Sequence, residues 1–519
     1  MKSKIFAIFP ILVLLVAGAA IAVDWTDTVA IHSGRIQGET ADDGIRVFRG
    51  IPFAAPPVGD LRWRPPQDVA SWPGVRDATG FGAACPQAPV LARMDTRPAT
   101  FDEDCLYLNI WTPAASPDEA LPVMVWIHGG GLSVGYSHQG MYDGTAFAKQ
   151  GVVIVSVNYR LGPLGFLAHP ALSKESKTGV SGNYGFLDQV ASLEWVHRNV
   201  AAFGGDPRRV TIFGESAGAT SVFALLASPT TKGLFQGAIA ESPWVNETNV
   251  AYQSRKTPFA DSGEAQGVVF ATKLLGENAS LADLRAFDAD EMITTAGFAP
   301  FINVDGQFMP ELPEKIFAAG KQHNVPMIVG TNTNEGTMFM GGFVTSLDAF
   351  TGPITKLYGD QAEKVLALYP AASKEDLPTV ADRYITDAWF VRASRAMLNG
   401  HGEVSSPAFQ YHFTKKSRSI PAWGAHHANE LGYVFNTYQG FGPAAEPDAS
   451  DLALGGAMIE YWSQFAKTGD PNTEGRPEWP TFEPGSEKYL ELGDEIRVGA
   501  ELRKESCDTL EAVIAKLGG

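Results

Sequence analysis

The pentapeptide Gly214-Glu215-Ser216-Ala217-Gly218 places a serine between two glycines, directly after the apolar run 210–213. The segment 217–226 that follows is apolar and favours a helix. A strand, this motif and a helix in that order predict a tight turn that pushes the Ser216 hydroxyl out of a sheet. Glycines suit both flanks because side chains there would meet neighbouring backbone. The pattern alone also occurs in ordinary turns, but in this context it indicates a nucleophilic serine.

A carbonyl group attacked by a serine becomes an oxyanion, which needs N–H donors that are already in place. The amide of Ala217, the residue after the predicted nucleophile, is one expected donor. The glycine run 129–131 follows the apolar segment 122–128, and we expect the amides of Gly130 and Gly131 to be the others. An ordinary flexible loop is the alternative interpretation of these glycines.

A serine nucleophile also needs a histidine to take its proton and a carboxylate to orient that histidine. In folds with this turn, the acid precedes the histidine along the chain. Glu335 comes just after the apolar run 325–330, where the carboxyl end of a sheet strand gathers catalytic groups. Glu335 is therefore the predicted acid, with a solvated loop residue as the alternative.

Five histidines follow Ser216 in the chain. His323 precedes a predicted strand and so lies at the wrong end of it, His401 is expected in a glycine-rich surface turn, and His412 falls inside a strand. The pair His426 and His427 remains as the source of the base. The residue pattern does not separate these two.

The elements that must position these groups alternate between strands and helices, which predicts an α/β fold with a mostly parallel, twisted central sheet and helices on both faces. Short N-terminal strands predict an additional small antiparallel sheet. Predicted strands are 29–36, 45–51, 106–111, 122–128, 151–158, 210–213, 235–241, 325–330 and 408–413, and predicted helices are 188–200, 217–226 and 455–467.

The composition of the 519-residue chain is globular, with a formal net charge of −18. That acidity disfavours nucleic acid and anionic membrane surfaces as partners. No cysteine and histidine cluster has the spacing of a zinc site, so we expect no metal. No internal repeat or linker is visible, which predicts one catalytic domain over 23–519.

The first 22 residues have the pattern of a secretory signal peptide. Lys2 and Lys4 precede an apolar stretch over 5–19, and Ala20 and Ala22 offer the small residues of a cleavage site. An uncleaved anchor is the alternative. We expect a secreted or periplasmic protein with no membrane span once the signal is removed.

Four longer segments resemble the type B carboxylesterase family of the α/β-hydrolase fold, in its bacterial branch. The stretch 203–218 (FGGDPRRVTIFGESAG) is similar to the family's nucleophile signature, and 103–113 (EDCLYLNIWTP) to its second signature. The segments 50–62 and 158–162 are similar to further family segments. The resemblance spans nearly the whole mature chain.

The resemblance implies several assignments that the residues alone leave open. The family's histidine lies three residues before a glutamate that leads into an aromatic segment, which selects His427, ahead of Glu430. It also implies a disulfide between Cys85 and Cys105. Supporting positions near the site are implied for Glu215, Ser242 and Glu430, and no cofactor is implied. Cys507 has no evident partner.

The chain departs from the family pattern at two positions near the site. Leu132 stands where the family usually has an aromatic residue after the glycines, and Pro243 where it usually has glycine. The stretch 86–104 contains no tryptophan, which disfavours a choline site. We expect the pocket shape to depend on Leu132, Trp244 and the segments 298–301 and 338–343.

The expected activity is hydrolysis of a small-molecule carboxylic ester through a Ser216–His427–Glu335 triad and a covalent acyl-enzyme. An amidase or another acyl-transfer hydrolase would use the same residues and is the first alternative. A non-catalytic binding protein on the same fold is the second. A monomer is the favoured oligomeric state.

Overall fold

The computed structural model describes residues 27–518, apart from positions 98 and 296. The predicted signal segment 1–22 lies outside the described residues. Within the described part the strands are β1 Thr28–Ile31, β2 Gly34–Gln37, β3 Glu39–Thr40, β4 Arg46–Pro52, β5 Val75–Asp77, β6 Tyr107–Thr112, β7 Leu121–Ile127, β8 Val153–Val157, β9 Gly205–Glu215, β10 Gly237–Glu241, β11 Val250–Tyr252, β12 Ile302–Val304, β13 Met327–Asn332, β14 Ala408–Phe413, β15 Lys488–Leu492 and β16 Ile496–Ala500.

The α-helices of the described residues cover both faces of the sheet and build a separate helical region over 347–401. They are α1 Thr145–Lys149, α2 Gly162–Phe166, α3 Pro170–Glu175, α4 Tyr184–Asn199, α5 Ala217–Ala227, α6 Gly263–Leu275, α7 Leu281–Ala286, α8 Ala289–Thr294, α9 Pro313–Ala318, α10 Leu347–Tyr358, α11 Ala362–Leu368, α12 Leu377–Ile385, α13 Arg392–His401, α14 Leu431–Val434, α15 Ala449–Thr468 and α16 Lys504–Gly518.

An 11-stranded sheet forms the centre, in the order β16-β15-β14-β13-β10-β9-β7-β8-β6-β4-β3. The run from β15 to β8 is parallel throughout, and the strands beyond it at either edge are antiparallel. This confirms the predicted mostly parallel sheet.

Side chains of the central strands enter two different cores, as the period-2 geometry of a strand requires. Along β7, Val123, Val125 and Ile127 pack on one face with α4 and α5. Met124 and Trp126 pack on the other face, under α15. Burial on both faces explains why the central strands are continuous apolar runs rather than alternating ones.

The small N-terminal sheet is mixed rather than purely antiparallel. The predicted strand 29–36 is a hairpin of β1 and β2, and β5 then pairs with β2 in parallel. The prediction is right for the hairpin only, because the parallel third strand comes from a distant part of the chain.

Two further differences concern individual elements. The predicted strand set omits β3, β5, β11, β12, β15 and β16. Helix α15 begins at Ala449, six residues before the predicted start at 455, because the Asp448 side chain accepts hydrogen bonds from the Ser450 and Asp451 amides and caps it. Its end agrees with the prediction, because Gly469 adopts the left-handed conformation (φ 80°) that commonly ends a helix.

Cys85 and Cys105 form a disulfide with an S–S distance of 1.97 Å. Cys507 is buried as a free thiol. Among the described helices, none is both long and apolar enough to cross a bilayer.

Candidate active site

Ser216 lies on the turn between β9 and α5, with φ 56° and ψ −119°. A residue other than glycine adopts such angles only when its surroundings impose them, at about 1–3 kcal/mol. Its amide donates to the Glu241 carbonyl at 2.8 Å, and its carbonyl accepts from the Thr220 amide at 2.8 Å. The residue is half-buried. Hydrogen bonds on both sides therefore hold the strained turn.

Three glycines leave the room that this turn needs. A Cβ on Gly218 would lie 2.0 Å from the Ile127 carbonyl oxygen, and one on Gly214 would lie 2.6 Å from the Gly218 carbonyl carbon. A Cβ on Gly129 would lie 3.2 Å from Cβ of Ser216. The steric reason inferred for the glycines of the motif therefore holds in the structure.

Glu335 and His427 meet beside this turn. The distance between Glu335 Oε2 and His427 Nδ1 is 2.6 Å. The other carboxylate oxygen of Glu335 accepts from the Ser242 hydroxyl at 2.6 Å and from the Asn332 amide at 2.6 Å. Glu335 is fully buried and His427 is 3% exposed. This arrangement fixes the carboxylate and leaves Nε2 of His427 as the nitrogen directed away from it.

The structure distinguishes His426 from His427, the two histidines between which the residue pattern does not choose. His426 directs Nδ1 to the carbonyl oxygen of His427, 2.7 Å away. Its own carbonyl accepts from the Asn332 side chain at 2.8 Å. His427, and not His426, contacts the carboxylate of Glu335.

Glu215 lies on the far side of the His427 ring, with Oε1 at 3.1 Å from Nε2. Burial, followed by the charges of Glu335 and Glu241, raises the pKa of Glu215 well above its usual value. Within the described residues the Ser216 hydroxyl has no hydrogen-bond partner. The structure thus brings Ser216, His427 and Glu335 into one site, and within the described residues neither Nε2 of His427 nor Oε1 of Glu215 has a hydrogen-bond partner.

The glycine loop and the start of α5 present free amides. Within the described part of the chain, the amides of Gly130, Gly131 and Ala217 donate no hydrogen bond. Gly130 and Gly131 have φ 105° and 62°, which favour glycine, and a Cβ on Gly130 would lie 2.1 Å from the Val134 carbonyl oxygen. These amides are available to an anionic ligand.

Two further glutamates accompany Glu215 and Glu335 in the buried region behind the site. Glu430 contacts the Asn332 side chain, and burial, together with the neighbouring glutamates, raises its pKa well above the usual value. Glu241 is level with Glu215 on the adjacent strand, accepts from the Trp462 indole at 2.7 Å, and has its pKa raised by burial to about 8.

Sequence reasoning missed Glu241 and Asn332. A usable signal existed for Glu241, because it precedes Ser242 at the end of a predicted strand, as Glu215 precedes Ser216.

The model of the carboxylesterase family matches residues 26–510. The chain belongs to the carboxylesterase family. It is 38% identical to the fumonisin B1 esterase of Sphingopyxis macrogoltabida, over 90% of this chain and 86% of that protein. It is 37% identical to the para-nitrobenzyl esterase of Bacillus subtilis strain 168, over 91% and 95% respectively. A solved structure of PNB esterase superposes with a TM-score of 0.81 at 33% identity, covering 93% of this chain and 99% of the other.

Membership makes this chain a carboxylic ester hydrolase with the α/β-hydrolase fold, acting on small ester substrates. The predicted family, fold and enzyme class are thereby confirmed.

An aromatic wall flanks the His427 ring of this carboxylesterase. Phe339 and Phe390 lie 5.0 and 4.9 Å from the ring, measured between centroids. Trp389 stacks on Trp244 at 5.3 Å and contacts Phe339 at 5.9 Å. We call Trp244, Phe339, Trp389 and Phe390 the aromatic wall.

Sequence reasoning pointed to Trp244 and to the segment 338–343, but it missed Trp389 and Phe390. It also included 298–301, yet Phe298 packs on Phe270 and Phe301 is buried beside Gly263. Leu132 is buried with φ 57° and its carbonyl accepts from the Gly162 amide at 2.7 Å.

The other three histidines that follow Ser216 in the chain have different partners. His323 contacts the Ser228 carbonyl oxygen at 2.8 Å, and His412 contacts the Thr333 hydroxyl at 3.1 Å. The expectation that His401 occupies a surface turn is wrong. It is 1% exposed at the end of α13, because the residues 399–402 continue the helix instead of leaving it.

Proposed function

We propose that this carboxylesterase cleaves its ester by nucleophilic attack of Ser216, with His427 as the base and Glu335 as the acid that orients it. The observation that carries the proposal is the 2.6 Å contact between Glu335 and His427 beside the strained Ser216 turn. Glu335 holds the proton of His427 on Nδ1, so Nε2 is free to accept one.

The first step transfers the acyl group to the enzyme. His427 takes the hydroxyl proton as Ser216 Oγ bonds to the ester carbon. The amides of Gly130, Gly131 and Ala217 then bind the oxyanion. Their availability supports this role, since donors bound to other protein groups would first have to be released. His427 returns the proton to the alcohol as it departs.

The second step releases the acid. His427 removes a proton from water as the water oxygen bonds to the acyl carbon. When the second oxyanion collapses, the bond from the acyl carbon to Ser216 Oγ breaks and His427 returns the proton to that oxygen, which restores both residues. Nε2 lies 3.1 Å from Glu215 Oε1, but within the described residues neither atom has a hydrogen-bond partner, so Nε2 is available for the serine proton. The raised pKa of Glu215 opposes a carboxylate charge beside the ring.

Ser242 and Glu430 support the site without contacting substrate in this proposal. Ser242 fixes the second oxygen of Glu335, and Glu430 fixes Asn332, whose amide also binds Glu335.

We further propose that the protein is exported to the periplasm or medium, with 1–22 as its signal peptide and 23–519 as one catalytic domain. The Cys85–Cys105 disulfide supports this, because such bonds persist in oxidising compartments. A monomer that binds no nucleic acid accords with the net charge of −18.

Acyl transfer to Ser216 is tested with p-nitrophenyl butyrate. We expect a burst of p-nitrophenol equal to the enzyme concentration, and a butyryl group on the Ser216 peptide by mass spectrometry. Ser216→Ala should abolish both and lower kcat by several orders of magnitude. The exposed Ser254→Ala is the matched control. An acyl group on another residue would contradict the proposal, and faster cleavage of butyryl p-nitroanilide would favour an amidase.

A further inference from the structure

Thr220 lies in helix α5, which begins directly after Ser216, and it is only 3% exposed. Its amide donates to the Ser216 carbonyl at 2.8 Å. The loop after β10 brings Trp244, a member of the aromatic wall, within hydrogen-bonding distance of its hydroxyl. One residue of α5 therefore contacts both the turn of the proposed nucleophile and the wall.

The Thr220 hydroxyl binds both polar groups of the Trp244 backbone. It donates to the Trp244 carbonyl at 2.9 Å and accepts from the Trp244 amide at 3.2 Å. A hydroxyl can do both, because it offers one donor and two acceptor positions. The Asn249 side chain also donates to the Trp244 carbonyl. These bonds fix the backbone of Trp244 relative to Ser216.

The residue before Trp244 restricts the same stretch of backbone. Pro243 is buried and stands where the family usually has glycine. A proline ring fixes φ at about −65°, so this position lacks the freedom that a glycine would give it. Ser242, which precedes the proline, is held in turn, because its amide donates to the Gly330 carbonyl at 2.8 Å. The chain is therefore constrained before Trp244 as well as at it.

The Trp244 indole transmits this fixed position to the rest of the aromatic wall. Its ring stacks on Trp389, with centroids 5.3 Å apart and 16° between the planes. Trp389 in turn contacts Phe339 at 5.9 Å and Phe343 at 6.3 Å. All four rings are half-buried, so part of their apolar surface remains accessible to a substrate.

We propose that Thr220 is a positioning residue that sets the acyl-chain specificity of this carboxylesterase by fixing the Trp244 indole relative to Ser216. The inference rests on the proposed attack by Ser216, because the acyl chain then stays bonded to that residue until the second step ends. Trp244 contacts the chain, whereas Thr220 acts through Trp244. A fixed wall excludes long chains that a displaced indole would admit, since extra methylenes forced into a packed site are unfavourable.

Thr220→Val tests the proposal, because it removes the hydroxyl at nearly the same volume. We expect the ratio of kcat/KM for p-nitrophenyl octanoate to that for p-nitrophenyl butyrate to rise at least about fivefold, as changes in a hydrophobic pocket can give. Thr220→Ser keeps the hydroxyl and should keep the wild-type ratio. The exposed Thr294→Val, which removes a hydroxyl that donates to the Asp290 carbonyl of its own helix, is the matched control.

Two results of this comparison would overturn the proposal. One is an unchanged ratio in Thr220→Val, including the case in which both rates fall together because the fold is weakened. The other is a ratio in Thr220→Ser that has moved as far as in Thr220→Val. If Thr220→Val does not fold, Pro243→Gly frees the backbone before Trp244 and should raise the ratio instead, and an unchanged ratio there would overturn the proposal too.

A double-mutant cycle with Trp389→Ala tests whether Thr220 acts through the wall. Trp389→Ala removes the ring on which Trp244 stacks, so Thr220→Val should change the ratio by less than about twofold in that background. Fully additive effects would show that Thr220 acts elsewhere and would overturn the proposal.

The burst assay separates this inference from the proposed function. An acyl group on Ser216 together with an unchanged ratio in Thr220→Val would overturn the role of Thr220 alone. Absence of an acyl group from Ser216 in the wild type would overturn the proposed function instead, whatever the ratio.

Discussion

His427 lies between two carboxylates that differ in their surroundings. Glu335 accepts hydrogen bonds from Ser242 and the Asn332 amide in addition to its contact with Nδ1. Glu215 has no such donors within the described residues, and burial raises its pKa. In the proposed mechanism Glu335 orients the His427 ring. The raised pKa of Glu215 opposes a second negative charge beside that ring.

Replacement of the two adjacent histidines tests the assignment of the base. His427→Ala should lower kcat for p-nitrophenyl butyrate by about 10³-fold or more, because no group remains to take the Ser216 proton. His426→Ala should lower it less than about tenfold, since within the described residues its Nδ1 meets the His427 carbonyl and its ring packs on that of Trp423. A severe loss in His426→Ala with a mild one in His427→Ala would reverse the assignment.

The buried Glu241 makes stability depend on pH. Its pKa is raised to about 8 in the fold and is about 4.3 in an unfolded chain. Between those values the folded state holds a proton that the unfolded state has lost, so this group's contribution to stability falls as pH rises from about 5 to 8. Below pH 4 the contribution is constant.

Glu241→Gln removes this titration and keeps an acceptor for the Trp462 indole. Relative to the wild type, the variant's free energy of unfolding should rise by up to about 4 kcal/mol between pH 5 and pH 8. Urea unfolding at both pH values measures it, with the exposed Glu277→Gln as the control. A pH-independent difference would show that Glu241 ionises normally in the fold.

At the scale of elements, one irregular helix brings aromatic side chains to the site. Helix α12 runs into a π-helical segment at Thr386–Val391, and α13 continues from it. That segment carries Trp389 and Phe390 to the His427 ring, and the Thr386 hydroxyl accepts from the Gly336 amide at 3.1 Å. Local departures from α-helical geometry are frequent at functional sites. This one connects the helical region to the loop that carries Glu335.

The stacked pair Trp244 and Trp389 should limit the length of the acyl chain that the site accepts. Trp389→Ala opens the aromatic wall, so we expect the highest kcat/KM to move to longer acyl chains in a C2–C10 series of p-nitrophenyl esters. Trp72→Ala, whose indole donates to the Arg35 carbonyl of the small N-terminal sheet, is the matched control. An unchanged chain-length profile would exclude the aromatic wall from substrate selection.

At the scale of the whole molecule, the Cys85–Cys105 disulfide closes the loop 86–104 in the N-terminal half of the chain. It joins residues 20 apart along the chain. The loop it closes contributes Leu91, Met94, Asp95 and Thr96 to the lining of a cavity of about 330 Å³. The disulfide therefore bears on stability and on the shape of that cavity.

Removal of the disulfide should destabilise the protein without changing the proposed chemistry. We expect Cys85→Ala with Cys105→Ala to lose about 2–4 kcal/mol of unfolding free energy, with the mechanism of that loss depending on the unfolded state. Urea unfolding measures it, with reduction of the wild type as a parallel route. A reduced wild type as stable as the oxidised form would contradict the prediction.

Much of this protein followed from local sequence. The alternation of central strands and helices, the turn at Ser216 and its flanking glycines depend on residues adjacent in the chain, so their pattern is visible there. The long segments around 203–218 and 103–113 were specific enough to indicate the family and to select His427 over His426.

Only the tertiary structure decided which distant groups meet. Glu241 and Asn332 lie near the site because their strands pair side by side in the sheet. Trp389 and Phe390 are placed by a π-helical segment that no local sequence pattern predicts. The burial of His401 and the third strand of the small sheet likewise depend on contacts between remote segments. Sequence patterns report periodicity and turns, whereas the environment of a buried charge or an unpaired amide is set by packing across the whole fold.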